Sequence, residues 1–445
     1  MRFRVNEMSV TASASAHGAS KRLPGVIGAF VAFALLAAYA VYRLTLPEVR
    51  ASWFTNLFKW PTDFKVYYNA ALALNQGDDL YSHPFVGGLP FTYPPFAGVI
   101  FKILPLASFH VAASIWLALT AVVLLAVIIG VFRERGYAWS PGMILVSLTA
   151  LVASLNLAPI FGTFFWGQIN IFIMGLVALD FLRKRSGNRG AGIFSGLAAG
   201  IKLTPAFFYL PLLLGKRWRA MIYMTLSILA TVVIGYLFIP DAGDFWKAKI
   251  FETNRIGVKD NPGAQSLGAV LYRLGCDSSA VWMACAVAIL ALFSIAALGC
   301  YRRSNYSMIM ALGGVTACVI SPFSWYHHWV FLVPLFVVFL DAGLRLAQTI
   351  CDRIPNRALR VVAEQFSGFV AVAILTVVFL PFVSNATNRK LGFFGQGMAH
   401  DNPIFKGSFT FMGVAFIVLA AAYYTVRYFT DRRTTGTERD AADSL

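Results

Sequence analysis

The sequence predicts an all-α polytopic membrane protein, a bundle of about ten to twelve transmembrane helices, and three observations carry that prediction. Hydrophobic residues make up 58% of the 445 positions and charged residues 13%, too little polar surface for a soluble globule of this length. Apolar stretches of about 17 to 25 residues recur along the whole chain, and the bilayer admits only helices for such stretches because every backbone group must be satisfied internally. The alternation a membrane barrel needs is absent. The third observation is where the charge falls. A net charge of +17 would suit a nucleic-acid binder, but Arg183-Lys184-Arg185, Lys216-Arg217-Trp218-Arg219, Arg302-Arg303 and Arg432-Arg433 sit between or after apolar runs, as cytoplasmic anchors do. No nucleic-acid partner is expected.

Taken in order, residues 1–22 are Ser/Ala-rich and expected to be disordered in the cytoplasm, and 23–42 form the first span, an uncleaved anchor. Residues 43–95 are too polar and too punctuated to lie in lipid and make the first external loop. Within it, aromatic and charged residues mix at helical spacing over 63–75, which suits a helix lying flat in the headgroup zone. Further spans are expected at 110–132, 142–158, 160–182, 220–239, 279–301, 307–320, 329–345, 366–383 and 409–428. The polar tail from Thr434 is read as disordered, and 23–430 as one membrane domain followed by a cytoplasmic tail over 431–445. Two stretches resist simple spans: 96–106 is short, and 190–215 is interrupted by Lys202-Leu203-Thr204-Pro205, where proline breaks the helix ladder. Acidic residues such as Glu48, Asp63, Asp78, Asp79, Asp241, Asp244 and Asp260 collect in the segments assigned outside.

The residues that could carry chemistry lie in those outer segments. Asp63, in Trp60-Pro61-Thr62-Asp63-Phe64-Lys65, has two readings: Thr62 or Asp63 as the N-cap of the interfacial helix, or a positioned carboxylate that accepts a proton at the outer leaflet. Asp78 and Asp79 follow Gly77 and read as a turn after a helix stop. His327 and His328 stand in the Pro-broken, Trp-flanked turn Ser321-Pro322-Phe323-Ser324-Trp325-Tyr326-His327-His328-Trp329. They are either part of an interfacial aromatic belt, or one imidazole meets a substrate while the other braces the turn. Adjacent histidines with no third ligand at recognisable spacing disfavour zinc. Lys202 either snorkels to the inner interface or meets a lipid phosphate. Gln168 and Asn170, in Trp166-Gly167-Gln168-Ile169-Asn170, either cap a span or bind sugar hydroxyls. The loop 259–267 is punctuated as an acceptor-binding loop would be, and as any external loop would be. Asp180 and Asp341 lie near Arg183 and Arg345, where local ion pairs are expected.

Together these motifs resemble a known family. Asp63-Phe64-Lys65-Val66-Tyr67-Tyr68, Gly77 with Leu80-Tyr81, Tyr93-Pro94-Pro95, Gly167-Gln168-Ile169-Asn170, Lys202-Leu203-Thr204-Pro205, Gln265-Ser266-Leu267 and Ser321-Pro322 through His328-Trp329 run in the order found in the GT-C glycosyltransferases that use polyprenyl-phosphate mannose. Within these, the chain resembles the α-1,2-mannosyltransferases of glycosyltransferase family 87, and among those the members that extend phosphatidylinositol mannosides of the mycobacterial envelope. The resemblance implies a polyprenyl-phosphate mannose donor, a phosphatidylinositol mannoside acceptor, inverting transfer to a 2-hydroxyl on the extracytoplasmic face of the plasma membrane, and a GT-C bundle with amphipathic helices in the first external loop. It implies Asp63 as catalytic base and His327 in support, with Lys65, Tyr67, Tyr93, Gln168, Asn170, Lys202, Gln265, Trp325 and His328 as substrate contacts. No cofactor or metal is implied, and Asp78-Asp79 is a doublet without the DxD spacing. An arabinofuranosyltransferase of the same superfamily and a lipid or solute transporter are the rival readings. The histidine turn favours mannose, and the one-sided polar loops favour an enzyme.

Overall fold

The computed structural model describes residues 22–46, 61–183, 191–252, 255–383 and 406–442, with side chains of the last stretch to residue 432. The expected disorder of 1–21 and the 47–60 part of the first loop lie outside the described residues. Seven described helices are long and apolar enough to cross a bilayer: α1 (Val26–Thr45), α4 (Phe109–Glu134), α10 (Trp218–Phe238), α13 (Ser279–Arg302), α15 (Leu332–Cys351), α16 (Arg357–Val378) and the Ser408–Arg432 part of α17 (Ser408–Ala442). Each meets one of the expected spans. α16 starts nine residues before the expected 366, and α17 runs past Thr434 to Ala442, so the tail is helical there rather than disordered.

Two expected spans come out differently. The stretch 142–158 folds as the shorter helix α5 (Pro141–Ala153), whereas 307–320 is met by α14 (Tyr306–Ile320). The expected span 160–182 is two helices, α6 (Ala158–Trp166) and α7 (Asn170–Phe181), bent by 117° about the turn between them. Gly167 makes that turn. Its φ is +70°, and a Cβ there would lie 2.6 Å from Phe64 Cβ, so a side chain is excluded both by the backbone conformation and by the approach of the interfacial helix.

That interfacial helix is α2 (Thr62–Gln76), ended by Gly77 in the left-handed conformation, with Asp78 N–H returning to Ala73 O at 3.0 Å. Asp241 ties the following segment to the bundle, accepting the Leu80 and Tyr81 amides at 2.8 and 2.6 Å. A short hairpin, β1 (Pro84–Val86) with β2 (Leu89–Pro90), then leads into α3 (Pro95–Phe101).

The 190–215 stretch breaks where proline and lysine predicted. α8 (Ile193–Ile201) stops at Lys202, whose backbone is extended, a 3-10 turn covers Thr204–Phe208, and α9 (Tyr209–Leu214) follows. α8 is held by close approach of its glycine face to α10: a Cβ on Gly192, just before the helix, would sit 2.0 Å from Ala220 O, on Gly196 2.6 Å from Met224 O, and on Gly200 2.2 Å from the Thr231 side-chain Oγ1. Small residues four apart let two membrane helices touch, which fixes the position of Lys202 at the helix end. α11 (Ala242–Lys247) and α12 (Leu267–Arg273) occupy the long 240–278 loop.

The outer segments of the sequence reading gather at one end of the bundle and the basic ones at the other. α14 shows the polarity, with Tyr306 bonded to Arg217 at one end and Ile320 lining a cavity at the other.

Candidate active site

A cavity of about 790 Å³ opens between α2, the bend after α6, the break after α8, the 255–263 loop and the histidine turn. Its polar lining includes Asp63, Tyr67, Tyr93, Gln168, Lys202, Arg255, Asn261, His327 and His328. Leu203, Phe207, Phe245, Ala317 and Ile320 make much of its apolar side.

Asp63 lies in the first turn of α2, but the helix has no side-chain cap, so the capping reading fails for Thr62 and Asp63 alike. The carboxylate turns to Gln168, whose Nε2 donates to Oδ2. Gln168 Oε1 in turn accepts from Tyr93 OH at 3.0 Å, and Tyr67 OH donates to Tyr93 OH at 2.8 Å while lying 3.3 Å from the same amide oxygen. One amide side chain thereby orients the carboxylate and is itself oriented by two buried tyrosines. Burial pushes the Asp63 carboxyl up to about 6, against the opposing pulls of the Gln168 hydrogen bond and the Lys202 charge.

Lys202 Nζ donates to Asn170 Oδ1 at 2.9 Å and lies 5.5 Å from the centre of the Tyr93 ring. Among the described residues no ion pair joins it to Asp63; the two charges are held apart by amides.

His327 is 5% exposed, stacks on Trp325 with centroids 6.1 Å apart, and both its ring nitrogens lack hydrogen-bond partners. Burial, reinforced by Lys202, takes it well below the ordinary histidine range, so it stands in the cavity wall as a neutral imidazole. Its backbone carbonyl is pinned by Asn170 Nδ2 at 2.9 Å and Thr163 Oγ1 at 3.2 Å. His328 braces the turn, its Nδ1 taking the Trp325 amide at 3.2 Å. The 255–265 loop lies along this turn: Gln265 N–H donates to Ser324 O at 2.6 Å, Tyr326 N–H to Gly263 O at 2.8 Å, and Trp325 Nε1 to Ile256 O at 3.0 Å.

Of the residues expected at the site, Asp63, Tyr67, Tyr93, Gln168, Lys202, Trp325, His327 and His328 line the cavity. Three do not. Lys65, on α2, is outside the cavity lining. Asn170 lies behind the lining. Gln265 is fully buried, donating to Pro262 O at 2.8 Å and to Lys406 O, while its own carbonyl receives Trp329 Nε1 at 3.0 Å; it staples the loop to the bundle. Asp180 also departs from its expected ion pair, accepting the Ser195 amide at 2.7 Å and so capping α8. Phe245 and Arg255 join the lining without having been singled out, because no local pattern distinguishes them from ordinary loop residues, and Thr62 and Thr204 join it from motifs read for their neighbours.

The sequence model of glycosyltransferase family 87 matches residues 91–322. This chain is a member of glycosyltransferase family 87. The matched region begins after Asp63 and ends before His327, so the cavity draws on residues from inside and outside it. Curated relatives agree with the family. The chain is 31% identical over 305 residues to the polyprenol-phosphate-mannose-dependent alpha-(1-2)-phosphatidylinositol mannoside mannosyltransferase of Mycobacterium tuberculosis, covering 64% of this chain and 71% of the relative. It is 31% identical over 347 residues to the polyprenol-phosphate-mannose-dependent alpha-(1-2)-phosphatidylinositol pentamannoside mannosyltransferase of Mycolicibacterium smegmatis, covering 74% of this chain and 78% of the relative. No solved structure matches the chain. As a family 87 glycosyltransferase, the protein presents a carboxylate, an ammonium and a neutral imidazole to one cavity. Such a set can accept a proton and offset the charge of an anionic leaving group.

Proposed function

We propose that this family 87 member transfers mannose from polyprenyl-phosphate mannose to the 2-hydroxyl of a mannosyl residue on a phosphatidylinositol mannoside, with inversion, on the extracytoplasmic side of the plasma membrane. The observation that carries the proposal is the buried Asp63 carboxylate, held on one oxygen by Gln168 in a cavity that also contains the unpaired ammonium of Lys202. The relatives' names supply the donor and acceptor classes, and the clustering of basic residues at the opposite end of the bundle supports the sidedness.

In this reading the acceptor 2-hydroxyl oxygen attacks the anomeric carbon as its proton passes to Asp63. The bond from that carbon to the phosphate oxygen breaks, and its electron pair leaves with polyprenyl phosphate. Attack opposite the leaving phosphate turns a β-mannosyl donor into an α-linked product. A carboxyl pushed up to about 6 is ionised at neutral pH yet a stronger base than a solvated aspartate. Lys202 takes the growing phosphate charge, and neutral His327 contributes a ring N–H. The apolar side of the cavity, with Leu203, Phe207 and Ile320 beside Lys202, suits a lipid-borne donor. Holding both lipid-anchored substrates in line supplies the rest of the acceleration. The reaction so written uses no resident metal or cofactor.

The test is mannosyl transfer by purified protein from synthetic polyprenyl-phosphate mannose to phosphatidylinositol mannosides bearing four or five mannoses, wild type beside Asp63→Asn, with and without EDTA. Wild-type product that survives EDTA and is lost in the variant supports the mechanism. Equal product from both removes Asp63 as base. Failure with mannose but transfer from an arabinose donor would replace the sugar.

A further inference from the structure

Asn170 is expected from sequence to touch substrate, yet it is 4% exposed and does not line the cavity. It is the first residue of α7, placed there by the bend at Gly167, and its amide is committed in two directions. Oδ1 accepts from Lys202 Nζ at 2.9 Å, and Nδ2 donates to the His327 carbonyl at 2.9 Å. An ammonium needs an acceptor and a carbonyl needs a donor, and a primary amide offers both from separate atoms. Lys202 sits at a helix break with an attractive carboxylate, Asp63, in the same cavity. Its flexible stem would let the ammonium swing to that carboxylate were it not bonded elsewhere.

We infer that Asn170 is a positioning residue that acts through Lys202 and His327, holding the ammonium away from Asp63 and fixing the imidazole's backbone, so that cation and base stay separately available. The inference rests on the proposed roles of Lys202 and Asp63. Around Asp63 the other titratable groups are the Tyr67, Tyr93 and Tyr326 phenols, and around Lys202 they are Tyr93, Cys318, His327 and His328. Arg255, the other cation in the cavity lining, is engaged by Glu252 and by the Phe91 and Lys249 carbonyls, which leaves Lys202 as the lining cation that can newly pair with the base.

The experiment uses the full-length protein in lipid nanodiscs, with Asn170→Ala, Asn170→Asp, Lys202→Met and the Asn170→Ala/Lys202→Met double variant. Two readouts are taken: affinity for polyprenyl phosphate by calorimetry, and the pH profile and KM values of mannosyl transfer. Asn170→Ala should weaken polyprenyl phosphate about 10-fold, the scale of a hydrogen bond to a charged group, with the acceptor KM changed less than about 2-fold. The acid limb of kcat should move to lower pH as Lys202 pairs with Asp63. In the double variant the Ala change should cost much less than it does alone, the remainder being the part carried through the His327 backbone. Asn170→Asp keeps the size of the side chain and carries the test should the Ala variant fail to fold; its carboxylate competes for the ammonium and should weaken polyprenyl phosphate as well. Unchanged phosphate affinity in the Asn170 variants beside a weakened Lys202→Met overturns this inference alone. So does a raised acceptor KM with unchanged donor affinity, which would put Asn170 on the acceptor sugar. Unchanged affinity in Lys202→Met overturns the role proposed for the lysine and the inference with it.

Discussion

Two polar clusters lie at opposite ends of the same bundle, and they handle buried charge in opposite ways. Away from the cavity, fully buried Asp341 accepts from Arg135 Nε, from Arg345 Nε at 2.8 Å and from Tyr137 OH at 2.6 Å. Arg135 is further bonded to Asn305 Oδ1 at 2.8 Å, and Arg345 to the Arg135 carbonyl at 2.9 Å. Opposite charges meet directly, and further hydrogen bonds with Tyr137, Asn305 and Ser307 surround them. At the cavity the same kinds of group are present, but Asp63 bonds Gln168 and Lys202 bonds Asn170, with neutral amides between carboxylate and cation. Direct pairing neutralises a buried charge and locks helices together; interposed amides orient charges while leaving them available to a ligand. The difference separates a structural cluster from a reactive one more sharply than residue type does.

The contrast breaks most visibly in two matched substitutions. Asp63→Asn should lower mannosyl transfer by roughly 2 to 4 orders of magnitude while the protein stays folded, measured as initial rates beside thermal unfolding. Asp341→Asn should do the reverse: it leaves Arg135 facing a neutral amide in a buried setting, and about 3 kcal/mol of stability should be lost, read from denaturation of the detergent-solubilised protein. Loss of stability in the first or of rate without stability in the second would erase the distinction.

Lys202→Met should weaken polyprenyl phosphate by roughly 10- to 100-fold, the range for a hydrogen bond to a charged group, and leave unfolding little changed because no carboxylate loses a direct ion-pair partner. Calorimetric titration checks it.

The smallest effects concern pH. Transfer should fall on acidification with an apparent pKa near the Asp63 value of about 6, as the base takes up a proton. For stability the sign is opposite to the usual aspartate. The folded-state value lies above the ordinary 3.8, so the folded protein binds the proton more tightly, and the penalty of the buried charge, full above about 6, is relieved as pH falls toward 4. Wild type should therefore gain stability relative to Asp63→Asn between pH 7 and pH 5. A difference between the two that does not vary with pH would show a solvated carboxylate.

Much of the site was readable because its signals are local. A carboxylate in a polar run after a span, a lysine beside a proline in an apolar stretch, and paired histidines in a Trp-flanked turn each stand out against a hydrophobic background. The division of labour in the turn, His327 facing the cavity and His328 bracing it, was one of the two readings the residues allowed. Gln265 and Asn170 were misplaced for the same reason: polar side chains in a quoted motif look alike whether they face a ligand or the protein, and only their neighbours decide.

Hydropathy, proline and glycine placement and the distribution of arginine and lysine thus determined by themselves that the chain is a helical membrane protein, where most of its long helices run, and which segments gather at the cavity end. Those properties are local, because each membrane helix must satisfy its own backbone. Only the tertiary structure decided that the 160–182 stretch bends by 117°, that Gln168 faces an aspartate 105 residues away, and that Asn170 joins Lys202 to a turn 157 residues on. Those partners meet because glycine-lined helices pack backbone to backbone, and the register of such packing is a property of two surfaces that no single stretch of sequence contains.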